Sequence, residues 1–191
     1  GETISQEDYL NMIRLKPSVL LGAALELGVV VANAPEADRK YLYDFGVKLG
    51  IAFQIKDDVL DVYGDPDKFG KQVGGDILAN KKTLLMLHAM EKAKGDNAHE
   101  LQQWLGRQDA PEEKVAAITQ LFTKLGAKNH ATKVMEEYYK HAMASLKKTS
   151  MNEEKKQGFI GFADWLMHRD YRYNSARALS NFGKWNSNPV D

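Results

Sequence analysis

Apolar residues recur along most of the chain at helical spacing. Ser5-x-x-Asp8 reads as a capping box with Asp in the place of Glu. Tyr9, Met12, Ile13, Lys16, Leu20, Ala23, Ala24 and Leu27 follow as one helical stripe. Pro17 inside that stripe predicts a kink, because it lacks an amide donor and its ring crowds the preceding turn. Asn33-Ala34-Pro35 breaks the pattern, and Glu36 to Tyr63 then reads as one long helix. Its stripe runs through Leu42, Phe45, Gly46, Leu49, Ala52, Phe53, Lys56 and Leu60. Gly46 and Gly50 each cost about 1 kcal/mol against Ala in a helix interior, so close packing of another helix, the commoner reason, or room for a ligand is expected there.

Four or five further helices are predicted. Thr83 to Lys94 carries Leu84, Leu85, Leu87 and Met90, and Ala98 to Leu105 is short. Asp109-Ala110-Pro111-Glu112-Glu113 is a helix start with Pro in the first turn and acids on the positive end of the dipole. Val115, Ile118, Leu121, Phe122 and Leu125 form its buried stripe, and Gly126 is its stop. Ala131, Val134, Met135, Tyr138, Ala142 and Leu146 form the next stripe. Asn152 caps the last, which carries Phe159, Ile160, Phe162, Ala163, Leu166 and Met167. No strand-type alternation, repeat or dividing linker is found. The class is therefore all-α.

Composition narrows the partners. The 191 residues are 43% hydrophobic and 27% charged, with a formal net charge of zero. That suits one globular domain and gives no reason to propose nucleic acid. The apolar runs are too short for a membrane span, and a cytoplasmic protein is expected. Without cysteine there is no thiolate nucleophile and no disulfide framework. The histidines (His88, His99, His130, His141, His168) are scattered and read as surface or satisfied residues. The chain opens at Gly1, not Met, which suggests a processed product or a fragment.

The chemistry gathers in Phe53-Gln54-Ile55-Lys56-Asp57-Asp58-Val59-Leu60-Asp61. Asp57 and Asp61 share a helix face one turn apart, Gln54 lies one turn below, and Asp58 is rotated by about 100°. Like charges at this spacing weaken a helix unless a cation sits between them. Mg²⁺ fits: it takes one or two carboxylates, keeps waters and draws its other ligands from phosphates. Gly64-Asp65-Pro66-Asp67 ends the helix by turn chemistry. Gly70-Lys71, Gly74-Gly75-Asp76-Ile77 and Lys81-Lys82-Thr83 then set lysines in a Gly-rich loop, a composition that binds diphosphate through metal and ammonium together.

From Phe53 to Thr83 the order Phe-Gln-x-x-Asp-Asp-x-x-Asp, Gly64-Asp65, Gly70-Lys71, Gly75-Asp76-Ile77 and Lys81-x-Thr83 resembles the second aspartate-rich motif of the trans-prenyltransferases. These are the farnesyl, geranylgeranyl and polyprenyl diphosphate synthases. Tyr9-x-x-Met12-Ile13-x-x-Lys16 resembles the segment that precedes a Lys-Thr pair in that family, with Pro17 in place of Thr. The resemblance implies an isoprenoid-synthase-type helical bundle, of which residues 1–168 are the C-terminal part and 169–191 a tail. The upstream helices, with the first aspartate motif, have no counterpart here. It implies condensation of an allylic diphosphate with isopentenyl diphosphate in a homodimer that uses Mg²⁺. Asp57, Asp58 and Asp61 would hold the metal. Lys16, Lys71 and Lys81 would neutralise diphosphate oxygens, and Gln54 would orient the site, with Asp57, Lys16 and Gln54 as the catalytic set. Asp76 and Thr83 are expected to be structural, as a cap and a helix start. Phe53 reads as core packing or as a hydrocarbon-pocket wall, and Arg169 lies near the family's C-terminal basic residue. A terpene cyclase of the same fold, or a non-catalytic half-domain binding diphosphate or a partner protein, are the alternatives.

Overall fold

A computed structural model describes residues 4–14, 18–31, 34–65 and 73–168. Lys16, Pro17, Gly70, Lys71, Arg169 and the rest of the 169–191 tail lie outside the described residues, as do the side chains of Leu20 and Leu27. The described residues contain helices and no strand. In chain order the helices are α1 (Gln6–Ile13), α2 (Val19–Val31), α3 (Glu36–Tyr63), α4 (Gly75–Leu78), α5 (Leu84–Lys92), α6 (Asp96–Gly106), α7 (Pro111–Lys124), α8 (Ala127–Lys147) and α9 (Glu153–His168).

Local chemistry sets these boundaries. Ser5 caps α1 through the reciprocal box with Asp8. Pro35 precedes α3, and the Gly64 amide closes it on the Leu60 carbonyl at 2.8 Å. Thr83 caps α5 by accepting from the Met86 amide. Pro111 opens α7, and Asn152 accepts from the Lys155 amide at the start of α9. Gly126 takes a left-handed φ of 72°, so one residue both ends α7 and starts α8.

The rest of the bundle packs around α3. One side of it, through Val47, Ile51, Ile55 and Val62, joins a core with α1, α5, α7 and the start of α8. The other side, through Leu42, Phe45 and Leu49, joins a core with α8 and α9. A helix buried on both sides needs more than one apolar stripe, and α3 has it. Against α2 it packs backbone to backbone. A Cβ at Gly46 would stand 2.7 Å from the Gly22 Cα, and one at Gly50 would stand 2.8 Å from the Ser18 Cα. The glycines thus mark a backbone-to-backbone approach. Phe53 is partly buried against the second core.

Several expected core positions face outward. Met12 is 47% exposed while Tyr9 and Ile13 are buried, so α1 buries a narrower stripe than its spacing suggests. Ala23 and Ala24 are exposed on α2, an apolar helix in which no polar face selects the buried side. Met90 is also exposed. Two buried charges take backbone or hydroxyl partners. Asp38 accepts from the Ser150 amide at 2.7 Å and its hydroxyl at 2.8 Å, and Lys114 donates to the Arg107 carbonyl at 3.1 Å. His88 and His130 are not scattered in space. Their rings stack 4.3 Å apart between α5 and α8, and the buried Nδ1 of His88 has no hydrogen-bond partner among the described residues.

Candidate active site

The C-terminal turns of α3 carry the acidic triplet. Asp57 and Asp61 lie one turn apart and half-buried, whereas Asp58 is 3% exposed. Rotated by about 100° from Asp57, Asp58 points into the bundle. It accepts a short hydrogen bond from the Tyr9 hydroxyl of α1, one from the Lys81 ammonium at 3.0 Å, and one from the Gln54 amide at 3.3 Å. Gln54 is the i+4 neighbour of Asp58 on α3.

The loop after α3 folds back onto it. The Gly74 amide bonds the Asp61 carbonyl at 2.6 Å, and the Asp76 amide bonds the Asp61 carboxylate at 2.8 Å. Gly74 makes this return possible. Its φ is 93°, and a Cβ there would stand 2.6 Å from Val115 of α7. Gly74, not Asp76, occupies the cap position of α4, because only a left-handed residue turns the chain there. Asp76 instead uses its carboxylate to accept from Lys81 at 2.8 Å. Lys81, at 41% exposed, therefore bridges Asp58 and Asp76.

In this network Asp58 and Asp76 share the Lys81 ammonium, and Asp61 joins through the Asp76 amide. Burial dominates the electrostatics of the cluster. Burial pushes the Asp58 carboxyl above the usual range, outweighing the bonds from Tyr9 and Lys81. Burial and the nearby Asp76 charge raise Asp61 against the pull of the Asp76 amide. Burial works against the Lys81 charge, but Asp76 and Asp58 together raise its pKa above the ordinary value. Burial and the Asp58 charge also raise Tyr9, which stays a protonated donor.

The carboxylates at this end of α3 offer oxygen ligands, which suit a hard cation. Among the described residues no three carboxylates or imidazoles converge tightly enough to cage an ion. A cation held by one or two carboxylates, and completed by water and phosphate, needs no such cage. Asp57 and Asp61 fit that role. Asp58 is committed to Tyr9, Gln54 and Lys81. The structure thus joins Gln54, Asp58, Asp61, Asp76 and Lys81, and places Thr83 at the cap of α5. Tyr9, absent from the sequence-based site, is its main addition. Its place on the buried stripe of α1 concealed a partner 49 residues away.

Comparison with known proteins follows the same lines. Residues 1–122 match the family model for polyprenyl synthetase. The chain is 34% identical over 151 residues to a geranylgeranyl diphosphate synthase of Sulfolobus acidocaldarius, covering 79% of this chain and 46% of that protein. It is 40% identical over 111 residues to a short chain isoprenyl diphosphate synthase of Methanocaldococcus jannaschii, covering 58% of this chain and 34% of the other. A solved geranylgeranyl pyrophosphate synthase superposes with a TM-score of 0.81 at 38% identity, covering 89% of this chain and 53% of that one. A polyprenyl synthase from Caulobacter crescentus, complexed with calcium and isoprenyl diphosphate, superposes with a TM-score of 0.78 at 31% identity, over 87% and 50%. The chain spans about half the length, or less, of these relatives.

Proposed function

Because the chain belongs to the polyprenyl synthetase family, we propose that the whole protein is a trans-prenyltransferase condensing an allylic diphosphate with isopentenyl diphosphate. The observation that carries this reading is the carboxylate network at the end of α3, where Asp58 and Asp76 share Lys81 and the Asp76 amide holds Asp61 beside a Gly-rich return loop. Asp57 and Asp61 hold magnesium, and Asp58 anchors the network. Magnesium, when bound, supplies the positive charge that stabilises diphosphate as a leaving group.

The chain's own residues bind and orient. Lys81, already fixed by Asp58 and Asp76, presents an ammonium at the mouth of the site. Lys16 and Lys71 add charge to the diphosphate, and Gln54 keeps Asp58 in register. The apolar residues of α3 around the triplet exclude water, which would otherwise quench an allylic cation. We assign residues 1–168 to the C-terminal part of one isoprenoid-synthase domain, and expect a cytoplasmic homodimer. Among the described residues no helix is long and apolar enough to cross a membrane.

The test is product analysis with an allylic diphosphate, with and without isopentenyl diphosphate and magnesium. A prenyltransferase gives a longer prenyl diphosphate only when all three are present. A hydrocarbon formed from the allylic substrate alone would assign a terpene cyclase instead. The second reading is a half-domain that binds diphosphate or a partner protein without turnover. No product despite magnesium-dependent binding would select it.

A further inference from the structure

We propose that Tyr9 of α1 is a positioning residue of the aspartate site, acting through Asp58 on Lys81; this rests on the diphosphate-binding reading above. Tyr9 is 1% exposed, and its hydroxyl meets a carboxylate that is itself 3% exposed. A phenol set that deep against a carboxylate is a directed contact, because a Phe would fill the same space without a polar atom to satisfy. One oxygen of Asp58 takes the Tyr9 bond, and the other takes Lys81 and Gln54. The Tyr9 bond therefore fixes the rotation of the carboxylate plane. That rotation decides where the second oxygen, and the ammonium it holds, stand relative to Asp57 and Asp61.

Loss of the hydroxyl leaves a buried oxygen without its donor, and the carboxylate turns to recover a partner. Lys81 then loses one of its two fixed anchors and keeps only Asp76. The ammonium is no longer pre-set for an anion, so binding must order it at that moment. Tyr9 touches neither the metal nor the substrate in this account. Its effect passes entirely through Asp58, and the two substitutions should therefore not be independent.

The test is a cycle of four full-length chains: unsubstituted, Tyr9→Phe, Asp58→Asn, and the double variant. Each is first shown to be folded by circular dichroism and a cooperative urea transition. Inorganic diphosphate is then titrated calorimetrically at saturating magnesium. Tyr9→Phe is expected to weaken binding about tenfold, the loss typical of a hydrogen bond to a charged group. In the Asp58→Asn background, Tyr9→Phe should change affinity less than twofold. A merely structural tyrosine would give losses that multiply, which overturns the proposal. Unchanged affinity in Tyr9→Phe alone also overturns it, while leaving the diphosphate site standing. No magnesium-dependent binding in the unsubstituted chain would overturn the site itself and this role with it.

Discussion

Replacing Gly46 and Gly161 by alanine should move stability in opposite directions. Both glycines lie inside helices, where Ala is favoured by about 1 kcal/mol. At Gly161 of α9 a Cβ would meet nothing within 4 Å, so Gly161→Ala should stabilise by about that amount. At Gly46 a Cβ would stand 2.7 Å from the Gly22 Cα, 3.0 Å from the Gly22 amide nitrogen and 3.0 Å from Leu25 Cδ1. Two of these are backbone atoms of α2, which cannot rotate aside. The helices must separate, and overpacking of this kind costs about 1–3 kcal/mol. After the propensity gain, Gly46→Ala should destabilise by up to about 2 kcal/mol, so the two variants should differ by about 1–3 kcal/mol. Urea unfolding at constant m-value measures the difference. A Gly46→Ala chain at least as stable as the parent would refute the reasoning, because the approach of α2 to α3 would then not be limited by those backbone atoms.

Two further predictions concern groups outside the aspartate site. Asp38→Ala removes the buried acceptor of two bonds from Ser150, so urea unfolding should show a loss of about 1–3 kcal/mol. Burial, the stacked His88 ring and Lys92 lower the His130 pKa against the opposing charges of Glu91 and Glu137. A histidine whose folded pKa lies below its unfolded value binds its proton more readily in the unfolded chain. Its contribution to stability is full above about pH 6.5 and is lost as the pH falls below that. The urea midpoint of the parent should therefore drop more between about pH 7.5 and about pH 5.5 than that of His130→Gln; parallel pH profiles would contradict this.

Much of the frame was legible because punctuation residues flank strong periodicity. Pro35 before and Gly64 after an apolar run placed α3 at Glu36–Tyr63, and Ser5, Pro111 and Asn152 marked helix starts. The glycine pair of α3 announced the approach of α2. What escaped was the choice among equally apolar faces. Met12 and Ala24 fit the helical period as well as Tyr9 does, and only the surrounding helices decide which of them is covered. The same limit applied to the acids. Spacing along α3 gives the angle between Asp57 and Asp58 but not which of them another element buries. That depends on Tyr9 and Lys81, 49 and 23 residues away. The stacked His88 and His130 were missed for this reason too, since α5 and α8 bring them together only in the bundle.

The most direct test of the central claim is calorimetric titration of inorganic diphosphate into the parent chain and Asp57→Ala, each with magnesium and with the metal chelated. The account predicts that diphosphate binds the parent at least tenfold more tightly with magnesium than without, and that Asp57→Ala abolishes this difference while the chain stays folded. Diphosphate affinity that ignores both the metal and the substitution would contradict the account, since the acidic end of α3 would then not be a metal-diphosphate site.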